Sequence, residues 1–146
     1  MDIREITPRY CVSPQISVED IPSLVEFGFT CLICNRPDVE IPPSHQAATM
    51  QAAAEAAGLK FVINPLTHDS MTEERLGLQR QVLEESPGKV LAYCASGTRS
   101  TVAWILGHAG SVPTDDLFLA AAQGGYQLDA LRPQVEYLAQ KSGGQS

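Results

Sequence analysis

Apolar positions along the chain gather into three short, nearly continuous runs with amphipathic stretches between them. Phe29-Thr30-Cys31-Leu32-Ile33-Cys34, Leu59 to Pro65 (LKFVINP) and Lys89-Val90-Leu91-Ala92-Tyr93-Cys94 read as strands buried on both faces. Residues 9–16 differ: Tyr10, Val12 and Ile16 recur in a loose period of two, which predicts an edge strand or hairpin. Ser17-Val18-Glu19-Asp20 opens a helix, with Ser17 and Asp20 as its start signals, Ile21, Leu24, Val25 and Phe27 as its apolar stripe and Gly28 as its stop. Pro22 falls in the first turns, where a missing N–H costs least. Beyond the Asn35-Arg36-Pro37-Asp38 loop and Pro42-Pro43, Ser44 is expected to cap an alanine-rich helix that Gly58 ends. Ser70 with Glu73 predicts a capping box for a helix to about Glu85. Arg99 or Ser100 begins a helix carrying Val102, Ile105, Leu106 and Ala109, Thr114 caps another after Pro113, and Leu128 to Gln140 gives the last. Strands alternating with such helices predict one α/β domain over residues 1–146. It has three layers: a central, mostly parallel sheet of four to five strands with helices on both faces. The ordered core is expected over about 5–140, with Lys141 to Ser146 as a frayed tail.

Composition narrows the partners. At 146 residues the chain is long enough to bury a core without a disulfide or metal staple. A net charge of −7 argues against nucleic acid or an anionic membrane as the main partner. No stretch approaches the roughly eighteen apolar residues of a membrane helix. Met1-Asp2-Ile3-Arg4-Glu5 lacks the apolar core of a signal peptide, so a soluble cytoplasmic protein is expected. Four cysteines in a chain of this length do not make a disulfide framework. Cys31 and Cys34 stand three apart in a predicted strand, point to opposite faces and are read as core. Cys11 can resolve an oxidised Cys94 only if the fold brings the two together. His45 and His108 stand alone, no cluster has metal-ligand spacing, and no glycine-rich nucleotide fingerprint appears, so neither metal nor cofactor is expected.

The chemistry concentrates in Cys94-Ala95-Ser96-Gly97-Thr98-Arg99-Ser100. A buried strand ends in a cysteine, four small residues follow, then an arginine and a helix. In a parallel sheet, ligands bind beyond the carboxyl ends of the strands, where Cys94 lies. Small side chains let the backbone N–H groups of Ala95 to Arg99 curl round one point, Gly97 supplies a conformation other residues resist, and the helix adds its positive end. Arg99 offers a planar fork for a tetrahedral oxyanion. The same fields favour a thiolate on Cys94, so the loop is both an anion cradle and a means of making a nucleophile. A core cysteine beside an ordinary helix-start arginine is the plainer reading, but it does not call for four small residues and a glycine.

Val90 to Trp104 (VLAYCASGTRSTVAW), Ile33 to Asp38 (ICNRPD), Gln15 to Asp20 (QISVED), Gly28-Phe29 and Ala56 to Pro65 (AAGLKFVINP) resemble the phosphatase-like domain named after beta-lactamase-hydrolase-like proteins. The resemblance covers most of residues 5–140. It implies a bacterial protein with a fold like that of dual-specificity phosphatases, linked with sulfide and persulfide handling. The family's names include both "phosphatase-like" and "sulfurtransferase".

Spacing bears on that choice. Cysteine phosphatases place five residues between cysteine and arginine, whereas four stand here, as in a single-domain rhodanese loop. Tyr93 replaces the histidine that usually precedes the cysteine, while Ser100 matches the phosphatase hydroxyl that helps the sulfur leave. A phosphatase also needs an acid for the leaving alkoxide. Asp69, beside His68, is the first candidate and Asp38 the second; His68-Asp69-Ser70 also reads as a polar turn. Sulfur transfer needs no such acid, because a persulfide forms on Cys94 and passes to a thiol acceptor. The sequence therefore favours a rhodanese-like sulfurtransferase, with a phosphoester hydrolase second and a silent anion- or persulfide-sensing module third. The expected partner is a small thiol, persulfide or phosphoester, with a sulfide-handling enzyme beside it. Arg36 either supplements the anion site or forms a salt bridge that fixes its loop. Gly124-Gly125-Tyr126 reads equally as a flexible turn near the site or as a helix stop.

Overall fold

The three continuous apolar runs become neighbouring strands. The computed structural model describes residues 1–143. In it β3 (Phe29–Cys34) lies between β4 (Lys60–Ile63) and β5 (Lys89–Tyr93), parallel to both. β2 (Tyr10–Ser13) runs parallel to β5 on its other side, and β1 (Arg4–Thr7) pairs antiparallel with β2. The sheet has five strands in the order β1-β2-β5-β3-β4. The hairpin expected at residues 9–16 forms, but Tyr10–Ser13 is its inner strand. The edge falls to β1, where Ile6 alone is buried, too little of a pattern to read from sequence.

Side chains alternate between two cores, as the two-residue period of a strand requires. Val12, Ile33, Val90 and Ala92 pack with α3 (Glu73–Glu85), α4 (Thr98–Gly107), α5 (Thr114–Gln123) and α6 (Arg132–Gly143). Cys11, Leu32, Leu91 and Tyr93 pack with α1 (Ile21–Glu26) and α2 (Ala47–Ala56). The expected three layers follow, and Cys31 and Cys34 fall in opposite cores. A register irregularity between Phe29 and Cys31 against β5 sends these two side chains to different faces.

Four helix starts depart from expectation. Thr114 does not cap α5 but is its first residue, with Pro113 in the cap position. Ser44 does not cap α2; it bonds to its neighbour His45, and the Ala47 N–H donates instead to Asp38 Oδ1 at 2.8 Å. Thr72, not Ser70, caps α3, its Oγ1 accepting from the Arg75 N–H at 3.2 Å, while Ser70 turns back onto Thr67. α4 begins at Thr98, directly after Gly97. The Ser17–Asp20 signal does form, with the Ser17 N–H donating to Asp20 Oδ2 at 2.9 Å around a 3₁₀ turn that runs into α1. The last predicted helix divides into a short turn, Asp129–Leu131, and α6, which continues to Gly143 through the start of the expected tail. The rest of that tail, residues 144–146, lies outside the described residues. Among the described residues no helix is long and apolar enough to cross a membrane.

Because β2, β3, β4 and β5 are parallel, their final residues Ser13, Cys34, Ile63 and Tyr93 share one edge of the sheet. The loops leaving that edge carry Gln15, Arg36 to Glu40, Leu66 to Asp69 and Cys94 to Arg99.

Candidate active site

Cys94 follows the last residue of β5 and is completely buried. Its own N–H reaches the Ser13 carbonyl at 3.4 Å, and the loop then folds back so that the Gly97 N–H donates to Cys94 Sγ at 3.1 Å. Gly97 has φ = +91°, and a Cβ there would run into the Tyr126 hydroxyl. That hydroxyl donates to the Ser96 carbonyl at 2.9 Å. Thr101, one turn into α4, returns both its N–H and its hydroxyl to the Gly97 carbonyl. The loop is thus fixed from both sides, with the N-terminus of α4 against the sulfur. The glycine pair before Tyr126 serves as both turn and stop: Gly124 ends α5 and Gly125 has φ = +97°, which delivers Tyr126 to the loop.

Arg99 is brought to the same edge. Its Nη1 donates to Glu40 Oε2 at 2.9 Å and to the Leu66 carbonyl at 2.8 Å, and its Nη2 donates to Glu40 Oε1 at 2.8 Å. Arg36 joins the same carboxylate through Nε at 3.2 Å and reaches Gln15 Oε1 through Nη1 at 3.4 Å. The Arg99 guanidinium, with Arg36 behind it, holds the Glu40 carboxyl below the usual glutamate range. Glu40 in turn pushes Arg99 up, and the nearby Cys94 sulfur adds a smaller push the same way. Of the two readings given for Arg36, the structure contains the salt bridge, and its carboxylate partner Glu40 also holds Arg99. Sequence reasoning missed Glu40; the only available signal was its ion-pair spacing four residues beyond Arg36.

Ser100 is buried, but its hydroxyl faces away from bulk solvent into a polar cluster. Its Oγ donates to Asn35 Oδ1 at 2.8 Å, and its carbonyl accepts from the Tyr10 hydroxyl at 2.7 Å. Gln79 ties this cluster together, accepting from Asn35 and Asn64 and donating to Asn35 and Tyr10. Asp69 sits with His68 on the exposed loop between β4 and α3. Among the described residues its carboxylate has no hydrogen-bond or ion-pair partner. The base of that loop is held by Arg99 at Leu66 and by Arg75 at Pro65. Asp38 is committed to the start of α2.

All four cysteines are free and buried. Burial pushes the Cys11 and Cys34 thiols up and Cys31 up to about 11. Cys11 packs with Leu91 and Tyr93 against α1 and α2. His45 pairs with Ser44 on the surface, and His108 closes the far end of α4 on the Trp104 carbonyl. Among the described residues no group of three or more His, Cys, Asp or Glu could hold a metal ion.

The family model for the beta-lactamase hydrolase-like protein, phosphatase-like domain, matches residues 2–111. The chain belongs to that family. The Beta-lactamase hydrolase-like protein of Agrobacterium fabrum (strain C58 / ATCC 33970) is 32% identical over 114 residues, which is 77% of this chain and 26% of that one. This phosphatase-like domain thus spans about a quarter of the length of the curated relatives it matches. A solved structure of a putative phosphatase from Neisseria meningitidis superposes with a TM-score of 0.82 at 28% identity, over 94% of this chain and 99% of the other. P. aeruginosa TpbA in complex with pTyr shares the fold, at TM-score 0.64 and 14% identity over 97% and 90% of the two chains. The fold expected from the resemblance, one like that of dual-specificity phosphatases, is the fold present.

Proposed function

We propose that the chain is a cysteine-dependent phosphatase acting on a phosphoester, with Cys94 as nucleophile. The observation that carries this is the Gly97 N–H on Cys94 Sγ at 3.1 Å, at the start of α4 and beside Arg99. A phosphatase-like family and the likeness to a putative phosphatase from N. meningitidis support phosphoesters over the sulfane sulfur that the loop spacing favoured. In the first step the thiolate attacks phosphorus, the P–O bond to the leaving group breaks, and Asp69 gives its proton to the departing oxygen. Water then attacks the thiophosphate, losing a proton to Asp69, and the P–S bond breaks to release inorganic phosphate and restore the thiolate. The N–H groups of Ala95, Ser96, Gly97 and Thr98, with Arg99, hold the non-bridging oxygens. Arg36 supports that site through Glu40, and Ser100 acts on the loop through Asn35.

Sulfur transfer is the second reading. Two observations favour it: the loop is one residue shorter than in cysteine phosphatases, and neither acid candidate is hydrogen-bonded into the site. In that case the thiolate attacks a sulfane sulfur, the donor leaves with the electron pair of the broken bond, and the Cys94 persulfide passes its outer sulfur to an acceptor thiolate. The acceptor belongs to a small thiol or a sulfide-handling enzyme.

Intact-mass measurement separates the two. Incubated with an aryl phosphate, the protein is expected to release phosphate, and Cys94→Ser to fall to background. Incubated with thiosulfate or glutathione persulfide, a gain of one sulfur on Cys94 without phosphate release would replace the first reading by the second. Neither event would leave a silent anion-sensing module, and full turnover by Cys94→Ser would remove the nucleophile from both schemes.

A further inference from the structure

Counting the donors of Arg99 leads to a role for Glu40. A guanidinium has five N–H donors in a rigid plane. Nη1 spends both of its donors, one on Leu66 and one on Glu40, and Nη2 spends one on Glu40. What remains is Nε–H and the second Nη2–H, parallel and on one edge, the spacing that grips two oxygens of a tetrahedral anion. Glu40 occupies the end of the plane and leaves the side edge unused. It is itself anchored, since Arg36 holds Oε1 and Gln15 holds Arg36. Loops following β2, β3, β4 and β5 therefore all contribute to fixing one guanidinium. An ion pair this close to the surface, with side chains 14% and 31% exposed, adds little to stability. Its geometric effect on a flexible arginine is the larger consequence.

We infer that Glu40 is a positioning residue, holding Arg99 so that its Nε/Nη2 edge faces the anion bound over Cys94. This rests on the proposed reading of the Cys94–Arg99 loop as an anion cradle. Glu40 also exerts an opposing effect, because its charge beside the cradle repels an anion. The two effects predict opposite outcomes when the charge is removed. If orientation dominates, Glu40→Gln weakens anion binding; if repulsion dominates, Glu40→Gln tightens it.

The test is an NMR titration of the ¹⁵N-labelled chain with inorganic phosphate, reading the backbone amides of residues 95–99 and the Arg99 Nε–H signal. In the unmodified protein both sets are expected to move with one dissociation constant. In Glu40→Gln the Arg99 Nε–H is expected to stop following phosphate and the affinity to fall roughly ten- to hundredfold, the scale of a misaimed catalytic group. Glu40→Asp, which keeps the carboxylate, is expected to recover part of that loss. The remaining amide spectrum should be unchanged, which a merely structural role would not give. Unchanged or tighter binding by Glu40→Gln, or an Arg99 Nε–H signal that follows phosphate as before, would overturn the role of Glu40 and leave the cradle standing. Silent amides at 95–99 in the unmodified protein would overturn the cradle, and the role of Glu40 with it.

Discussion

Burial alone would make every cysteine in this chain inert, since a thiolate removed from water loses its solvation. At Cys11, Cys31 and Cys34 burial outweighs the groups that oppose it, Lys89 for Cys11, Lys60 for Cys31, and the Tyr93 hydroxyl and Arg36 backbone for Cys34, and all three thiols are pushed up. Cys94 is just as covered, yet it receives the Gly97 N–H and lies beside Arg99. At pH 8, with Cys31 raised to about 11, roughly one Cys31 thiol in a thousand is ionised. Brief exposure of the folded protein to iodoacetamide at that pH should therefore mark Cys94 first. Peptide mapping checks this; label on Cys31 ahead of Cys94 would mean that the cradle does not activate its sulfur. The order should collapse in urea, where all four thiols meet the same solvent.

At the scale of an element, the unit that matters is β5, its loop and α4, and it works because Gly97 can take φ = +91° while leaving room for Tyr126. Gly97→Ala asks for both a conformation that costs about 1–2 kcal/mol and a displaced tyrosine. The expected result is a lower urea midpoint together with loss of turnover; an unchanged midpoint and full activity would mean that the loop is not held as described. Much of this unit was legible in sequence. The apolar run ending at Cys94, the small residues and Arg99 are local signals, and local signals survive the absence of a fold. Helix caps were less secure because Ser, Thr and Asp satisfy backbone donors from several distances. Asp38 reaches Ala47 across nine residues, and no pattern over three or four positions contains that bond. The bonds that Glu40 and Tyr126 make to the loop were illegible for the same reason, although Tyr126 stood in a turn already read as lying near the site or as a helix stop. Each meets the loop across a long sequence separation, 59 residues for Glu40 with Arg99 and 30 for Tyr126 with Ser96.

At the scale of the whole molecule, the proposed cradle stands over a layer of buried polar groups beneath the carboxyl ends of the strands. Gln79, on α3, is fully enclosed, and no apolar stripe would place a glutamine there. Its amide bonds to Asn35 on both sides, to Asn64 and to Tyr10, so one side chain links α3 to the strand ends that position the loops. Asn35 passes the connection to Ser100, at the start of α4. Buried networks of this kind stabilise only while every member is satisfied. Gln79→Leu keeps the volume but removes the acceptor for one N–H of Asn35 and one of Asn64, each of which then stays dry and unpaired. At about 1–3 kcal/mol for each such group, a loss of at least about 2 kcal/mol is expected in urea unfolding, far above the effect of a surface change. Because the broken links lie under the cradle, phosphate affinity should fall as well, even in the fraction that remains folded. A stability loss without any change in phosphate affinity would show that the polar layer supports the sheet alone and that the Cys94 loop is held by Tyr126 and α4 without it.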